Sequence, residues 1–461
     1  MGKSHAAISR ESFWNILGPG FPTEQVLLYV LAAVAVVLFI YGLSRTGLFG
    51  RLRVMANATG TDVDRVTNPW GRFWYAVADV LAHRKIMRET YPGIAHLFIF
   101  WGFIALTITT GLIFFQDDFV GPIFKVRFLQ GGFYLGLSLF ADVFGIIAII
   151  GTLMLLIRRY AMKPTWLDEK PEDKLILWFL LGVLLTGFIV EGLRIQATEA
   201  NPASPMHPYI WFSPGGRILA YLFSGMSVET IKAIHKVIWW IHGVGALGFL
   251  AYIAYSKLLH IFMVPVNIFM RPVVDQPPIK AMPPEMFENA ETFGVHKLEE
   301  YSWKDLFDTE ACMRCGRCVE VCPAFNTDKP LKPRDVIQNI RTHLEQKAKF
   351  LLDENGKYRI VADEEYTGPA LIEDTIAKDT IWSCTTCMAC VEACPAYILQ
   401  FPKLVDLRRY MVMMESDFPS EVVDVFKGLE NNSNPWNIGS HVRTDWTKGQ
   451  DVPLMSDKGG A

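Results

Sequence analysis

Five stretches of this 461-residue chain are long and apolar enough to leave little choice of fold. They run roughly over 26–44, 94–115, 133–157, 175–192 and 237–259. Crossing a bilayer takes about 20 such residues. Lipid offers the backbone no hydrogen-bond partner, so each crossing segment must satisfy itself as a helix. The expected fold is an all-α membrane bundle of five transmembrane helices. Most of the 13 Trp and 31 Phe fall in this half, where side chains face lipid and interface.

Loop charges orient the bundle. Arg45, Arg51 and Arg53 follow the first run, and Arg84, Lys85 and Arg88 precede the second. Arg158, Arg159, Lys163, Lys170 and Lys174 lie between the third and fourth. The loop between the second and third opens instead with Gln116-Asp117-Asp118, and the loop before the fifth has few basic residues. The positive-inside rule then places the N-terminus outside and everything after the fifth crossing in the cytoplasm. The first apolar run lacks a small-residue cleavage site and is followed by basic residues, so no cleaved leader is expected.

The chain divides into an outer segment over 1–25, a membrane domain over 26–263, a proline-rich linker over 264–300, a soluble domain over 301–446 and a mobile tail over 447–461. Pro265, Pro272, Pro277, Pro278, Pro283 and Pro284 mark the linker. Residues 45–93 form an inner connection with an amphipathic helix, and 196–228 an outer connection too polar to cross. In the soluble part a helix is expected over 332–350, a short strand around 358–361, and a mostly helical segment holding Leu404, Leu407 and Met411. Lys332, Arg334, Arg341, Lys347 and Lys349 read as a solvated helix face. With a net charge of only −3, nothing points to nucleic acid as a partner.

All eight cysteines fall in two runs of the soluble part. They are Cys312-x2-Cys315-x2-Cys318-x3-Cys322-Pro323 and Cys384-x2-Cys387-x2-Cys390-x3-Cys394-Pro395. Short x2 loops let three thiolates grip one cubane, and this spacing before Pro is that of bacterial [4Fe–4S] ligation. In two-cluster ferredoxins the fourth cysteine crosses over. That assigns Cys312, Cys315, Cys318 and Cys394 to cluster 1, and Cys384, Cys387, Cys390 and Cys322 to cluster 2. The competing zinc reading fails because zinc sites usually take two separated cysteine pairs each. The expected fold of this part is a mainly α-helical ferredoxin-like domain, and its unbridged cysteines suit a reducing compartment.

Histidines in the membrane part suggest haem b. His242 and His260 are 18 residues apart on the fifth run, a whole number of helical turns spanning roughly 27 Å. Imidazoles near both leaflets suit axial ligation of one haem or two stacked haems. His96, on the second run just after Pro92-Gly93, matches the depth of His260, and these two form the inner pair. For the outer site, His242 has no partner at its depth on the second run. His83 would take part only if that helix began earlier and tilted; His235 or His207 would complete the site instead. Isolated histidines at helix ends are commonly satisfied by water or carbonyls, but several on one face of an intramembrane helix are costly without a purpose.

Asp142 lies well inside the third run, and Glu191 sits three residues before Arg194 near the outer end of the fourth. They are candidates for quinone binding and proton transfer, against the plainer reading of a helix-end ion pair. Gly243-x-Gly245-x-x-Gly248 fits a nucleotide fingerprint in letters only: it lies inside a membrane run and reads as close helix packing. The chain itself is expected to bind neither flavin nor NAD.

Residues 20–265, with histidines on the second and fifth runs and the spacing of His242 to His260, resemble the cytochrome b (gamma) subunit of respiratory nitrate reductase. That resemblance implies two stacked b haems exchanging electrons with quinol. Residues 300–445, including Asn434-Pro-Trp-Asn-Ile-Gly439 and Arg443-Thr-Asp-Trp446, resemble iron–sulfur subunits of heterodisulfide reductases. The fusion is similar to membrane-bound oxidoreductases that link electron-transfer flavoprotein to menaquinone. Those commonly continue into cysteine-rich CCG domains, which this sequence does not include, so a flavoprotein or CCG-domain partner is expected. The implied activity is quinone-linked oxidoreduction. The alternatives are a non-catalytic electron conduit anchoring a respiratory complex, and a structural anchor without haem.

Overall fold

The computed structural model describes residues 13, 15, 16, 22–60, 68–271, 279, 282, 284–361 and 365–452. Helices dominate; among the described residues pairing is limited to isolated bridges such as Leu352 to Tyr358. The strand expected at 358–361 is therefore not formed. The turn closes on side-chain bonds instead: Asp353 Oδ1 accepts the N–H groups of Asn355 and Lys357.

One compact unit joins Met1–Pro278 to Lys297–Lys403; the other joins Ile279–His296 to Leu404–Ala461. The first unit begins with α1 (Pro22–Arg45), α2 (Leu48–Ala56) and α3 (Pro69–Ala82). It continues with α4 (Thr90–Phe115), α5 (Gly131–Ile157), α6 (Pro171–Thr198), α7 (Pro214–Ala220), α8 (Val228–Tyr252) and α9 (His260–Phe269). Five of its helical segments are long and apolar enough to cross a membrane: Thr23–Arg45, Thr90–Phe124, Gly131–Met162, Pro171–Thr198 and Val228–Tyr255. They coincide with the five apolar runs.

Small residues bring these helices together, as expected where lipid removes the hydrophobic drive. A Cβ on Gly102 of α4 would lie 2.5 Å from that of Ala148 on α5, and one on Gly151 would lie 2.6 Å from the Ala95 carbonyl. On α8, Gly245 and Gly248 face Val183 and Phe179 of α6 at ordinary contact distance, as packing glycines do. The outer connection folds back on α6, where Ile195, Ile210 and Ala220 form a buried cluster.

The amphipathic helix of the inner connection is α3. Asn68 caps it, accepting the Gly71 N–H at 3.1 Å, and Pro69 fits its first turn. Its Trp70, Phe73 and Trp74 are exposed, whereas Arg72, Ala76 and Asp79 are buried.

The fifth crossing is interrupted. It ends at Tyr252, passes through tight turns at Ile253–Tyr255 and Lys257–Leu259, and restarts as α9 at His260. Ser256 is extended (φ −131°, ψ 171°), with its Oγ accepting the Leu258 N–H. Glu172 takes the Lys257 N–H at 2.7 Å. These bonds compete with the helical ladder, so His242 and His260 do not share one continuous helix. The expected linker also starts differently: Pro265 lies inside α9. Residues 272–278, 280, 281 and 283, with four linker prolines, lie outside the described residues, as do most of 1–21 and the tail over 453–461.

The rest of this unit is built on α10 (Trp303–Ala311) and α11 (Pro333–Leu351). Ser302 caps α10, and its Oγ also donates to Asp305 at 2.6 Å. Val336, Ile337, Ile340 and Leu344 of α11 are buried. Its basic residues are only partly a solvated face: Lys332 and Lys349 are exposed. Arg334 and Lys347 are buried, Lys347 pairs with Glu299 at 2.7 Å, and Arg341 pairs with Glu310 and Glu345. The helix Gln400–Met413 begins in the first unit and ends in the second, which also holds the helices Pro284–Asn289 and Val423–Asn432. Within the second unit, Val295 donates to the Asp406 carbonyl and His296 stacks on Tyr410 at 4.2 Å.

Candidate redox site

Cys312, Cys315 and Cys318 line one cavity together with Cys394 from the distant second run. Cys390 has Cys384, Cys322 and Cys387 as its charge neighbours. The chain thus brings the eight thiols into two foursomes, each with three cysteines of one run and the fourth of the other. Burial pushes the thiols of Cys390 and Cys394 up to about 12, with neighbouring cysteines adding to it. Such thiols become good ligands only when metal displaces their protons. Among the described residues no three His, Cys, Asp or Glu close on a single-ion site. Thiols arrayed around a cavity, with backbone N–H groups of Ile398 and Thr386 turned to Cys394 and Cys384 at 3.4 Å, fit a cubane cluster better than one zinc ion.

The spacer residues of the first run fix where its cavity sits. Arg314 reaches Asp168 at 3.0 Å, Glu172 at 3.1 Å and Asp173 at 3.4 Å, all between α5 and the first turn of α6. Arg317 pairs with Glu89 at 2.7 Å and donates to the carbonyls of Lys85 and Ile86 at 3.0 and 2.9 Å, just before α4. Between them, Gly316 has φ +83°, and a Cβ there would lie 2.9 Å from the Trp166 ring. Arg51 after α1 forms a two-pronged pair with Glu310 of α10, and Asn267 of α9 donates to the Ala396 carbonyl at 2.8 Å. The cysteine loop is thereby clamped onto three connections of the helical bundle. Sequence reasoning passed over Arg314 and Arg317; the signal was their contrast with neutral Thr385, Thr386, Met388 and Ala389 at the equivalent spacers.

Three histidines gather at this end. His83 Nε2 lies 3.0 Å from His96 Nδ1, and the rings of His96 and His260 are 6.4 Å apart. His83 arrives by a route the sequence did not suggest. It ends α3 in the left-handed region (φ 53°), and the turn Ile86–Arg88 folds it back beside α4, which starts no earlier than Thr90. Toward the other end of the bundle, His242 Nδ1 lies 3.0 Å from the Val183 carbonyl and 3.2 Å from Thr186 Oγ1. His260 Nδ1 lies 2.9 Å from the Lys257 carbonyl. His96, His242 and His260 therefore each have Nδ1 engaged. An occupied Nδ1 fixes the tautomer that presents Nε2 to a metal, which is how ligating histidines are held. His207 binds the Glu199 carbonyl through Nδ1 at 2.8 Å. His235 is buried, and beyond the nearby Phe13 backbone neither of its ring nitrogens has a hydrogen-bond partner.

Asp142 is engaged at both oxygens, accepting the N–H groups of Gly215 and Gly216 at 2.7 and 3.1 Å where α7 begins. Glu191 lies 3.6 Å from Arg194, which also pairs with Glu199.

Comparison with known proteins agrees with this geometry. Residues 130–276 match the nitrate reductase gamma subunit family, and residues 308–398 match the 4Fe-4S dicluster domain family. The chain is a nitrate reductase gamma-like membrane domain joined to a 4Fe–4S dicluster domain, a membrane redox protein that carries iron–sulfur clusters. It is 35% identical to the EtfAB:quinone oxidoreductase of Syntrophomonas wolfei subsp. wolfei, over 96% of this chain and 62% of the relative. It is 25% identical to one subunit of the dihydromethanophenazine:CoB–CoM heterodisulfide reductase of Methanosarcina barkeri, over 53% of this chain and 90% of the relative. Another subunit of that enzyme is 33% identical over 20% of this chain and 21% of the relative. The chain thus spans less than two thirds of the length of the oxidoreductase it is similar to. No solved structure matches it.

Proposed function

We propose that the chain is a quinone-linked oxidoreductase that exchanges electrons between a cytoplasmic redox partner and the menaquinone pool through two [4Fe–4S] clusters and haem b. The ligands of cluster 1 are Cys312, Cys315, Cys318 and Cys394; those of cluster 2 are Cys384, Cys387, Cys390 and Cys322. His96 and His260 hold the haem nearer the clusters. Their rings stand 6.4 Å apart, near enough for both imidazoles to hold one metal centre between them. His83 would orient His96 through its Nδ1. His242 serves the second haem site, and buried His235 lies seven residues from it on α8.

One observation carries this reading: Arg317 fastens the cluster 1 loop to the Lys85–Ile86 turn that joins His83 to the helix of His96. That tie supports a short electron path between cluster 1 and the histidines. Cluster 2 faces the partner, since Cys387 is the exposed cysteine. The basic loops favour a cytoplasmic side for this end and an outer side for the N-terminus. The partner is a flavoprotein or a CCG-domain protein. The similarity to the EtfAB:quinone oxidoreductase favours the flavoprotein and the quinone.

The test is reduction by menaquinol of the purified protein, followed by absorbance. Wild type should show a b-type spectrum that menaquinol reduces. His96→Ala and His260→Ala should each lose the same haem. Full haem content in both variants would overturn the ligand assignment.

A further inference from the structure

Helix α3 (Pro69–Ala82) is turned inside out. It carries two charged residues, Arg72 and Asp79, and both are buried, at 4% exposure each. Its exposed side is apolar. Trp70 is 68% exposed and Trp74 52%, and Phe73, Ala78 and Leu81 are exposed with them. At about 100° per residue, positions 70, 73, 74, 78 and 81 fall on one side of the helix, opposite 72, 76 and 79. A surface helix in water shows the reverse arrangement. The exposed rings pack on one another: Trp70 stacks on Phe73 at 5.8 Å and meets Trp74 edge-on at 5.5 Å.

The buried side of α3 is bound to protein. The helix packs against α9, and Arg72 donates to the carbonyls of Phe269 at 3.4 Å and of Arg271, where α9 ends. The Arg271 guanidinium in turn sits 3.2 Å over the Tyr75 ring. The hydroxyls of Tyr75 and Tyr397 lie 3.1 Å apart, and Tyr397 is three residues past Cys394. Rolling α3 to hide its rings would break these bonds, so the apolar side is held outward.

That side continues a surface that faces lipid. α3 lies in the connection between the crossing helices α1 and α4. On its neighbour α9, Ile261, Phe262 and Val266 are exposed as well, and the Phe262 ring meets Phe39 of α1 edge-on at 6.3 Å. α1 exposes Val36, Val37, Leu38, Ile40 and Tyr41. Exposed apolar side chains thus run from α1 over α9 to α3, and a protein partner on this face would have to reach into the lipid beside α1. Leaving such a face in water costs about 25 cal/mol per Å² of apolar surface. Trp rings are enriched at the level where headgroups meet acyl chains.

We propose that α3 lies in the plane of the membrane, sunk by Trp70, Phe73, Trp74 and Leu81 into the leaflet on the side of the cysteine runs. The surface it binds is the glycerol and upper acyl region of phospholipid. Its polar side faces protein instead of water, so the helix is a plate between lipid and the loop that follows Cys394. Through the Tyr75–Tyr397 contact the bilayer surface then sets the height of that loop. None of this depends on which quinone or redox partner the chain serves.

The experiment is carbene labelling of the full chain in phosphatidylcholine vesicles that contain a phospholipid with a diazirine near the top of one acyl chain. After photolysis, peptide mass spectrometry locates the adducts. Residues 70–81 should carry them, as should the exposed positions over 36–41 of α1, while Ile360, exposed in the dicluster part, should carry none. A diazirine at the far end of the acyl chain should still label α1 but lose the label on α3. Trp70→Ser combined with Trp74→Ser should remove most α3 adducts in a protein whose cluster absorbance shows that it has folded. Adducts on α1 with none on α3 overturn the proposal and leave the face to a protein partner or a second copy. Adducts on Ile360 as dense as those on α3 overturn it too, since labelling would then follow exposure alone. Equal labelling of α3 from both depths also overturns it, because a helix lying in the plane of the headgroups is out of reach of the deep probe.

Discussion

Asp308→Asn tests whether the site is held by buried charge. Asp308 Oδ1 accepts from Lys304 at 2.5 Å and Asn267 at 3.1 Å; Oδ2 accepts from Lys403 at 2.8 Å and the Leu399 N–H at 3.2 Å. Lys403 also reaches Asp305 at 3.2 Å, so two ammonium groups balance two carboxylates almost out of reach of water. The Asn substitution keeps the shape and removes one charge, leaving an ammonium in excess. Breaking a buried pair this way costs about 3–5 kcal/mol. In a unit of several hundred residues that is roughly 1 °C per kcal/mol, so the midpoint should fall by roughly 3–6 °C. Because Asp308 anchors Leu399, five residues past Cys394, cluster absorbance should be lost on heating before the helices unfold.

The pH dependence has a definite sign. Burial alone would raise Asp308, but Lys304 and Lys403 outweigh it and hold the carboxyl below its usual range. Its contribution is thus full above the unfolded value of about 3.9 and is lost as pH falls through the lower folded value. Lys403 is the mirror case. Burial would lower it, but Asp308 and Asp305 outweigh that and raise it. Its contribution is full below about 10.4 and fades only as pH rises through the folded value. Thermal scans of wild type and Asp308→Asn should therefore differ most between about pH 5 and 9 and converge in strong acid. A variant that melts within about 1 kcal/mol of wild type at pH 7, or a gap that widens in acid, would refute the reasoning.

Two more outcomes are expected. Cys394→Ser and Cys312→Ser should alter the same cluster signal in electron paramagnetic resonance, while Cys322→Ser should alter the other; Cys394→Ser grouping with Cys390→Ser would undo the crossed assignment. Gly187→Leu should press on the His242 ring, overpack the α6–α8 contact by about 1–3 kcal/mol, and deplete the haem at His242, leaving the His96–His260 haem in place, as haem content per chain will read.

The membrane half was legible because lipid forces one solution: long apolar runs become helices, and all five do. The cysteine runs were legible because their spacing is the chemistry. What escaped the sequence depends on side chains choosing between local and distant partners. The break after Tyr252 is written in Ser256 and Glu172, and an apolar pattern gives no sign that a serine will bond its own loop. His83 reaches His96 through a left-handed turn that hydrophobic periodicity does not encode. Arg341 and Lys347 of α11 look solvated until Glu299, Glu310 and Glu345 are placed around them. Arg314 and Arg317 sit inside a motif whose cysteines draw all the notice, yet they fasten that motif to the bundle.

The central claim is that electrons cross from the cysteine runs to the membrane histidines. Rapid mixing of oxidised proteoliposomes with a low-potential soluble donor, with haem absorbance as the signal, tests it most directly when wild type is compared with Cys394→Ser. The donor should reduce wild-type haem quickly and the variant's haem slowly, while menaquinol reduces both alike. Equal donor-driven haem reduction in wild type and variant would contradict the claim.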